Sequence, residues 1–328
     1  MGPPAKEERG VDQSLPPIQI ARQGCLEAGG RTVFYQTPDG NIPLNPRYQP
    51  GHVAIEHVYA QYQIPVDQRF AYPVLFNAGG GHSARFYDTT PDGREGWLTL
   101  FLRAGFATYA VDRVNVGRSG SDIDAINAAR HGLGPASAIP AMNRYTHEEA
   151  WLAFRWGPKY GEWYPDTQFP RERVDVYYRQ MLTTYRDSSE EEKNASAFSV
   201  LLDEVGPATI LTWSSSGILG MLAAARRPAL VKGILAVEPS PAAYDHLPDS
   251  VLPELAKVPI YIVVGDHDEE RVAMWRALQA RLAAHGGLVT VDALAENGIH
   301  GNTHTLPLEK NNAVIMERMI DWLKTNVY

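Results

Sequence analysis

The sequence predicts an α/β fold in which a mostly parallel sheet is wound on both faces by helices. Three observations predict it. Short β-branched runs alternate with helix-like segments through most of the chain. The polar candidates for chemistry follow the ends of the strand-like runs, where open α/β sheets carry their sites. And 44% of the 328 residues are hydrophobic, enough for one large core or two.

Taken in order, Arg31 to Gln36 and Val53 to Ile64 are rich in β-branched and aromatic residues and read as early antiparallel strands. Tyr72 to Asn77 is a short buried strand running into Ala78-Gly79-Gly80-Gly81-His82. Trp97 to Ala104 is helical and Phe106 to Asp112 the next strand. Ala195 to Val205 is a helix, Pro207 to Leu211 a strand, and Ile218 to Arg227 a helix closed by Pro228. Val231 to Val237 and Val258 to Val264 are strands. Glu269 to His285 is an amphipathic helix, Leu288 to Leu294 a strand, and Asn312 to Thr325 the last helix. Residues 1–15, polar with Pro and Gly, read as a flexible arm. Residues 16–120 and 195–328 form the core, and residues 121–194 interrupt it. That interruption carries Trp151, Phe154, Trp156, Tyr160, Trp163, Tyr164, Tyr177 and Tyr178. Such density suggests a cap packed over a site, with Trp151 and Trp163 facing substrate; the same aromatics could equally fasten the insertion to the core. Within it, Ser188 to Lys193 reads as a solvated turn.

The formal net charge of −8 argues against a nucleic-acid partner, and no apolar run of 18 residues is present to cross a membrane. No signal peptide is visible, so the chain as written reads as cytoplasmic; removal of a leader would make it secreted or periplasmic. The single cysteine, Cys25, excludes an intrachain disulfide and a cysteine-based metal site, and no metal or organic cofactor is expected.

The most informative run is Leu211-Thr212-Trp213-Ser214-Ser215-Ser216-Gly217, between a strand and a helix. A serine on a sharp strand-to-helix turn is how α/β-hydrolases present a nucleophile, and the residues two before and two after it must be small. Ser214 meets this with Thr212 and Ser216, whereas Ser215 would place Trp213, and Ser216 would place Ile218, in the tight positions. A serine needs a base, normally a histidine held by a carboxylate, and the expected chain order is serine, acid, histidine. Of ten histidines, His300 and His304 lie in the loop after the last strand. The acid is Glu238, ending the Val231–Val237 strand, or Asp266 or Asp268 after the next one; the aspartates would otherwise cap the helix beginning near Glu269. Backbone donors for an oxyanion would come from Ser215 and from the glycine run at Gly80, with Gly81 and Trp213 shaping the pocket. The run lacks the Lys-Ser/Thr of a phosphate loop. Gly117 to Asp122 reads as a structural turn at the rim.

Several stretches together resemble a known family, the atypical bacterial esterases of the Alcaligenes type. They are Tyr62-Gln63-Ile64-Pro65, Thr89-Thr90-Pro91-Asp92-Gly93-Arg94, Gly117-Arg118-Ser119 with Ile126-Asn127-Ala128, Asp166-Thr167-Gln168-Phe169-Pro170, Val237-Glu238-Pro239, Gly265-Asp266-His267 and His300-Gly301-Asn302-Thr303-His304. The resemblance spans residue 55 or so to the C-terminus. It implies an α/β-hydrolase fold, Ser214 as nucleophile, Glu238 as acid and His304 as base, with a capped pocket and a homodimer as the assembly it allows. Two positions depart from the family. Gly80 and Gly81 stand where its esterase has a disulfide-linked vicinal cysteine pair, and Trp213 and Ser215 replace the His and Gln flanking its nucleophile. The expected activity is hydrolysis of carboxylic esters through an acyl-enzyme, acting on a small-molecule ester. A lactonase or amidase with the same residues, or a ligand-binding protein without turnover, are the alternatives.

Overall fold

A computed structural model describes residues 15–36, 50–186 and 189–328; the expected arm lies almost wholly outside them. The chain order is β1 (Ile20–Tyr35), β2 (Gly51–Pro65), β3 (Val74–Asn77), α1 (Trp97–Arg103), β4 (Thr108–Asp112), α2 (Asp124–Arg130), β5 (Ala141–Asn143), α3 (His147–Ala153), α4 (Val174–Tyr178), β6 (Thr184–Arg186), α5 (Glu190–Val205), β7 (Ala208–Trp213), α6 (Gly217–Arg226), β8 (Val231–Val237), α7 (Ala242–Asp245), α8 (Leu252–Leu255), β9 (Ile260–Val264), α9 (Glu269–Ala283), β10 (Val289–Ala293) and α10 (Asn312–Asn326). Eight strands form one sheet in the order β1-β2-β4-β3-β7-β8-β9-β10. The β1–β2 and β2–β4 pairs are antiparallel, and the pairs from β4 to β10 are parallel.

Sequence explains this division. β3, β7, β8 and β9 are almost continuously apolar and buried, as strands covered on both faces must be. β1 is mostly exposed and polar, with Gly29 and Gly30 inside it. Its first half therefore shows no strand signature in sequence, and it is held by a long antiparallel ladder to β2 running from Ile20–Pro65 to Tyr35–Gly51. Two apolar layers flank the sheet. One joins α5, α6, α8 and α9 to the strands through residues such as Phe198, Leu201, Met221 and Trp275. The other joins α1 and α10 to the aromatic residues of 121–194.

Three expectations are corrected. Of Ser188–Lys193, expected as a solvated turn, Ser188 lies outside the described residues and Glu190–Lys193 is the first turn of α5, because three successive glutamates sit favourably at a helix N-terminus. Trp213 does not line an open pocket: it is fully buried, stacks on Phe86 at 4.1 Å, and donates from Nε1 to the carbonyl of His304 at 2.6 Å. Its bulk belongs to the core, and its polar edge ties the end of β7 to the histidine loop. Trp151 is likewise buried, against Trp156, Tyr160 and the half-buried Trp163, which shows these aromatics fastening 121–194 internally.

Candidate active site

At the end of β7 the chain turns abruptly. Ser214 has φ of 59°, in the left-handed region disfavoured for a residue with a side chain, and α6 starts three residues later. The turn is held by its neighbours. Ser216 is buried; its Oγ accepts from the Trp213 N–H at 3.0 Å and lies 2.8 Å from the Asn77 carbonyl, lacing the turn to β3. A Cβ at Gly220 would come within 2.7 Å of the Thr212 methyl, so helix and strand close tightly at the position where a small residue is required. Ser214 thus occupies the strained position, with Ser215 half-buried beside it and Ser216 structural.

The serine, a histidine and a carboxylate lie in line. Ser214 Oγ is 2.8 Å from His304 Nε2, and His304 Nδ1 is 3.0 Å from Glu238 Oε2. Of the residues the sequence left in competition, Asp268 caps α9, accepting from the Arg271 N–H at 3.1 Å, and Asp266 holds His300 Nδ1 at 3.1 Å on the exposed side of the loop. Glu238 is wholly buried and, like Ser214, has a left-handed φ, 45°. Its Oε1 accepts from the Gly265 N–H at 2.5 Å. Its Oε2 accepts from Arg155 Nη2 and Arg271 Nη1, each at 2.9 Å, besides His304.

These surroundings set the charges. Burial pushes the Glu238 carboxyl up, but Arg155, the bond to His304 and Arg271 outweigh it and hold it well below the usual carboxylate range. Burial pushes the His304 imidazole down to about 4; Glu238 opposes this, while Arg271 and Arg155 add to it. His304 is therefore neutral near pH 7. With its proton on Nδ1 facing Glu238, Nε2 is free to accept from Ser214. Arg271 Nη1 lies 3.2 Å from Nδ1; both are then donors, so that arginine serves the carboxylate.

The glycine run packs against the serine. A Cβ at Gly79 would come within 2.6 Å of both Ser214 Cβ and the Trp213 carbonyl, so no other residue fits there. At Gly80 the nearest atoms to such a Cβ are Ser215 Oγ at 3.5 Å and Tyr145 Oη at 3.7 Å. The peptides of this loop are fixed from behind. Arg113 Nη2 donates to the Gly79 carbonyl at 3.1 Å. His82, buried and with its pKa pushed down to about 4 by burial, contacts the Gly80 carbonyl through Nδ1 at 2.8 Å and the Tyr177 hydroxyl through Nε2 at 2.9 Å. Gly81, with φ of 72°, accepts from the Leu182 N–H at 2.7 Å. The Gly117–Ser119 turn is structural, as expected: the Arg118 N–H and Nε both donate to Asp112 Oδ2.

Sequence reasoning missed Arg155, Arg271, His82 and Arg113. One signal was available: a carboxylate ending a buried strand needs cationic partners. Nothing in the sequence says which of the many arginines supply them.

Fold and site together define an α/β-hydrolase with a Ser-His-Glu constellation. No family model matches the chain. It is 32% identical to a bacterial esterase of known structure, over 96% of this chain and 98% of that one, with a TM-score of 0.87. It is 27% identical to a probable secreted lipase from a fungal species (strain ATCC 74256), over 81% of this chain and 85% of that protein. Proline iminopeptidase from Mycobacterium smegmatis, 12% identical with a TM-score of 0.50, shares the fold alone. The chain belongs to the esterase family of the α/β-hydrolase superfamily that the bacterial enzyme represents, and it is a carboxylic ester hydrolase. Among the described residues no helix is long and apolar enough to cross a membrane.

Proposed function

We propose that Ser214, His304 and Glu238 hydrolyse a small-molecule carboxylic ester through an acyl-enzyme. The observation that carries this reading is the relay itself: 2.8 Å from serine to imidazole and 3.0 Å from imidazole to a buried carboxylate, with the serine on a strained turn. Ser214 Oγ attacks the ester carbonyl as its proton passes to His304 Nε2. The negative charge on the carbonyl oxygen is met by the N–H groups of Gly80 and Ser215; one such donor is worth about 3 kcal/mol in the barrier. Collapse expels the alcohol, which takes the proton from Nε2. Water then repeats the sequence, giving its proton to Nε2, releasing the acid and restoring Ser214. Glu238 keeps the imidazole in the required tautomer and balances the imidazolium as it forms.

Residues 121–194 serve as the cap of this site, excluding water through their aromatic layer. Tyr145, from this segment, stands over Gly80 and Gly81 and forms part of the substrate's surroundings. Homodimer formation and action away from a membrane belong to the same reading, and sedimentation with and without lipid vesicles tests both. For the chemistry, the test is pre-steady-state hydrolysis of a p-nitrophenyl ester. A burst of nitrophenol close to one per active site, absent in Ser214→Ala, is expected; turnover in Ser214→Ala at the wild-type rate would contradict it.

A further inference from the structure

Arg155 has four unusual properties at once. It belongs to the 121–194 segment rather than to the sheet that carries the triad. Only 13% of its side chain is exposed. Its φ is 56°, one of six left-handed non-glycine residues among those described, of which Ser214 and Glu238 are two others. And its guanidinium is aimed at the carboxylate that holds the imidazole, Nη2 lying 2.9 Å from Glu238 Oε2, while Nη1 is 3.4 Å from Asp268 Oδ2. A buried arginine in a strained conformation is retained only where its surroundings over-determine it. Its neighbour Phe154 adds to the same contact: the Phe154 carbonyl accepts from the His304 N–H at 3.2 Å, and its ring lies parallel to the imidazole.

We propose, building on the triad reading above, that Arg155 is a positioning residue of the catalytic relay: the 121–194 segment sets where Glu238 sits and how readily His304 takes a proton. The electrostatic reason is a near-neutral cluster. Glu238 and Asp268 are offset by Arg155 and Arg271, so a proton arriving on His304 makes the cluster net positive. Glu309 and the neutral His82 are the other titratable groups acting on the cluster. Removing Arg155 leaves His304 facing two carboxylates and one arginine, which favours the imidazolium. It also frees Glu238 Oε2 to move, and displacement of a relay atom by 1 Å can cost about 100-fold in rate.

The test is the pH profile of kcat/KM and the separate kcat and KM values of Arg155→Met, Arg155→Gln and Arg155→Lys. Arg171→Met serves as control, since Arg171 bonds only a surface carbonyl of the same segment. Arg155→Met is expected to lower kcat at least about tenfold with KM within about twofold, and to move the acid limb up by about one pH unit. Arg155→Lys should return the limb to its wild-type position, and the control should match wild type. Should Arg155→Met fail to fold, Arg155→Gln carries the same readout. A wild-type acid limb in a folded, uncharged Arg155 variant overturns the proposal, even where activity falls. Ser214→Ala is measured alongside: if it retains activity the triad reading itself fails, whereas an inert Ser214→Ala with wild-type Arg155 variants removes only the role of Arg155.

Discussion

The backbone N–H of His304 donates to the carbonyl of Phe154 at 3.2 Å, and the two rings stack 5.6 Å apart at an interplanar angle of 6°. His304 thus rests on a residue from the 121–194 segment, not only on the sheet. Its carbonyl accepts from Trp213 Nε1, in the residue before Ser214. The rings of Phe154, Trp213 and His304 pack as a cluster with centroids 5.1 to 5.9 Å apart, which limits rotation of the imidazole away from Ser214. Four predictions follow from this arrangement and from the groups around it.

Trp213→Phe keeps most of the buried volume and removes the donor to the His304 carbonyl. A buried acceptor left without its partner costs about 1–3 kcal/mol. The variant should unfold at lower urea concentration by that amount and show reduced kcat with little change in KM.

Glu238→Gln should lower kcat by about 10³–10⁴-fold, since an amide holds the wrong imidazole tautomer and cannot balance the imidazolium. Asp266→Asn, after the next strand and bonded to the exposed His300, should stay within about threefold of wild type. Comparable losses in both would place the acid elsewhere.

Gly79→Ala and Gly80→Ala should differ sharply. The added methyl at Gly79 would overlap Ser214 Cβ and the Trp213 carbonyl at 2.6 Å, so backbone must move and activity should be lost. At Gly80 the nearest atom is 3.5 Å away, in ordinary contact, and the N–H is retained. Gly80→Ala should therefore fold as wild type and keep measurable turnover, which steady-state kinetics on a short-chain ester would read directly.

Two pH dependences have defined signs. His304 must be neutral to accept a proton, and its pKa is about 4 rather than 6.5, so the acid limb of kcat/KM should lie well below pH 6.5. For stability, the unfolded chain binds protons at His82 and His304 between pH 4 and 6.5 that the folded chain does not. These two histidines therefore contribute stability that rises with pH across that window. Two buried carboxyls, Glu309, raised from 4.5 to about 7, and Asp88, raised from 3.8 to about 6, work in the opposite direction and nearly offset them. Urea midpoints should stay nearly level from pH 4.5 to 6.5 in the wild type and climb across that range in Glu309→Gln.

The sheet was legible in the sequence because its parallel strands are short apolar runs with sharp edges, and the serine turn because it demands small residues at fixed places. β1 was only half legible, since an exposed antiparallel strand takes its stability from backbone pairing, not from an apolar pattern. Ser214 could be singled out by its turn, whereas strand order and the glycine-rich loop left Glu238 beside Asp266 and Asp268, and His304 beside His300, and it was the family resemblance that favoured Glu238 and His304. Trp213 misled because indoles are as common in cores as in pockets, and its position next to the serine did not reveal which way the ring points. Arg155 and Arg271 were invisible: one lies in an aromatic stretch and the other in the charged first turn of a helix, and only the folded chain brings both to Glu238.

The most direct test of the central claim is covalent labelling with a fluorophosphonate, followed by peptide mapping and assay of ester hydrolysis on the same sample. One adduct, on Ser214, appearing in step with loss of activity, is the predicted result. An adduct on Ser215 or Ser216, or full activity after Ser214 is modified, would contradict it.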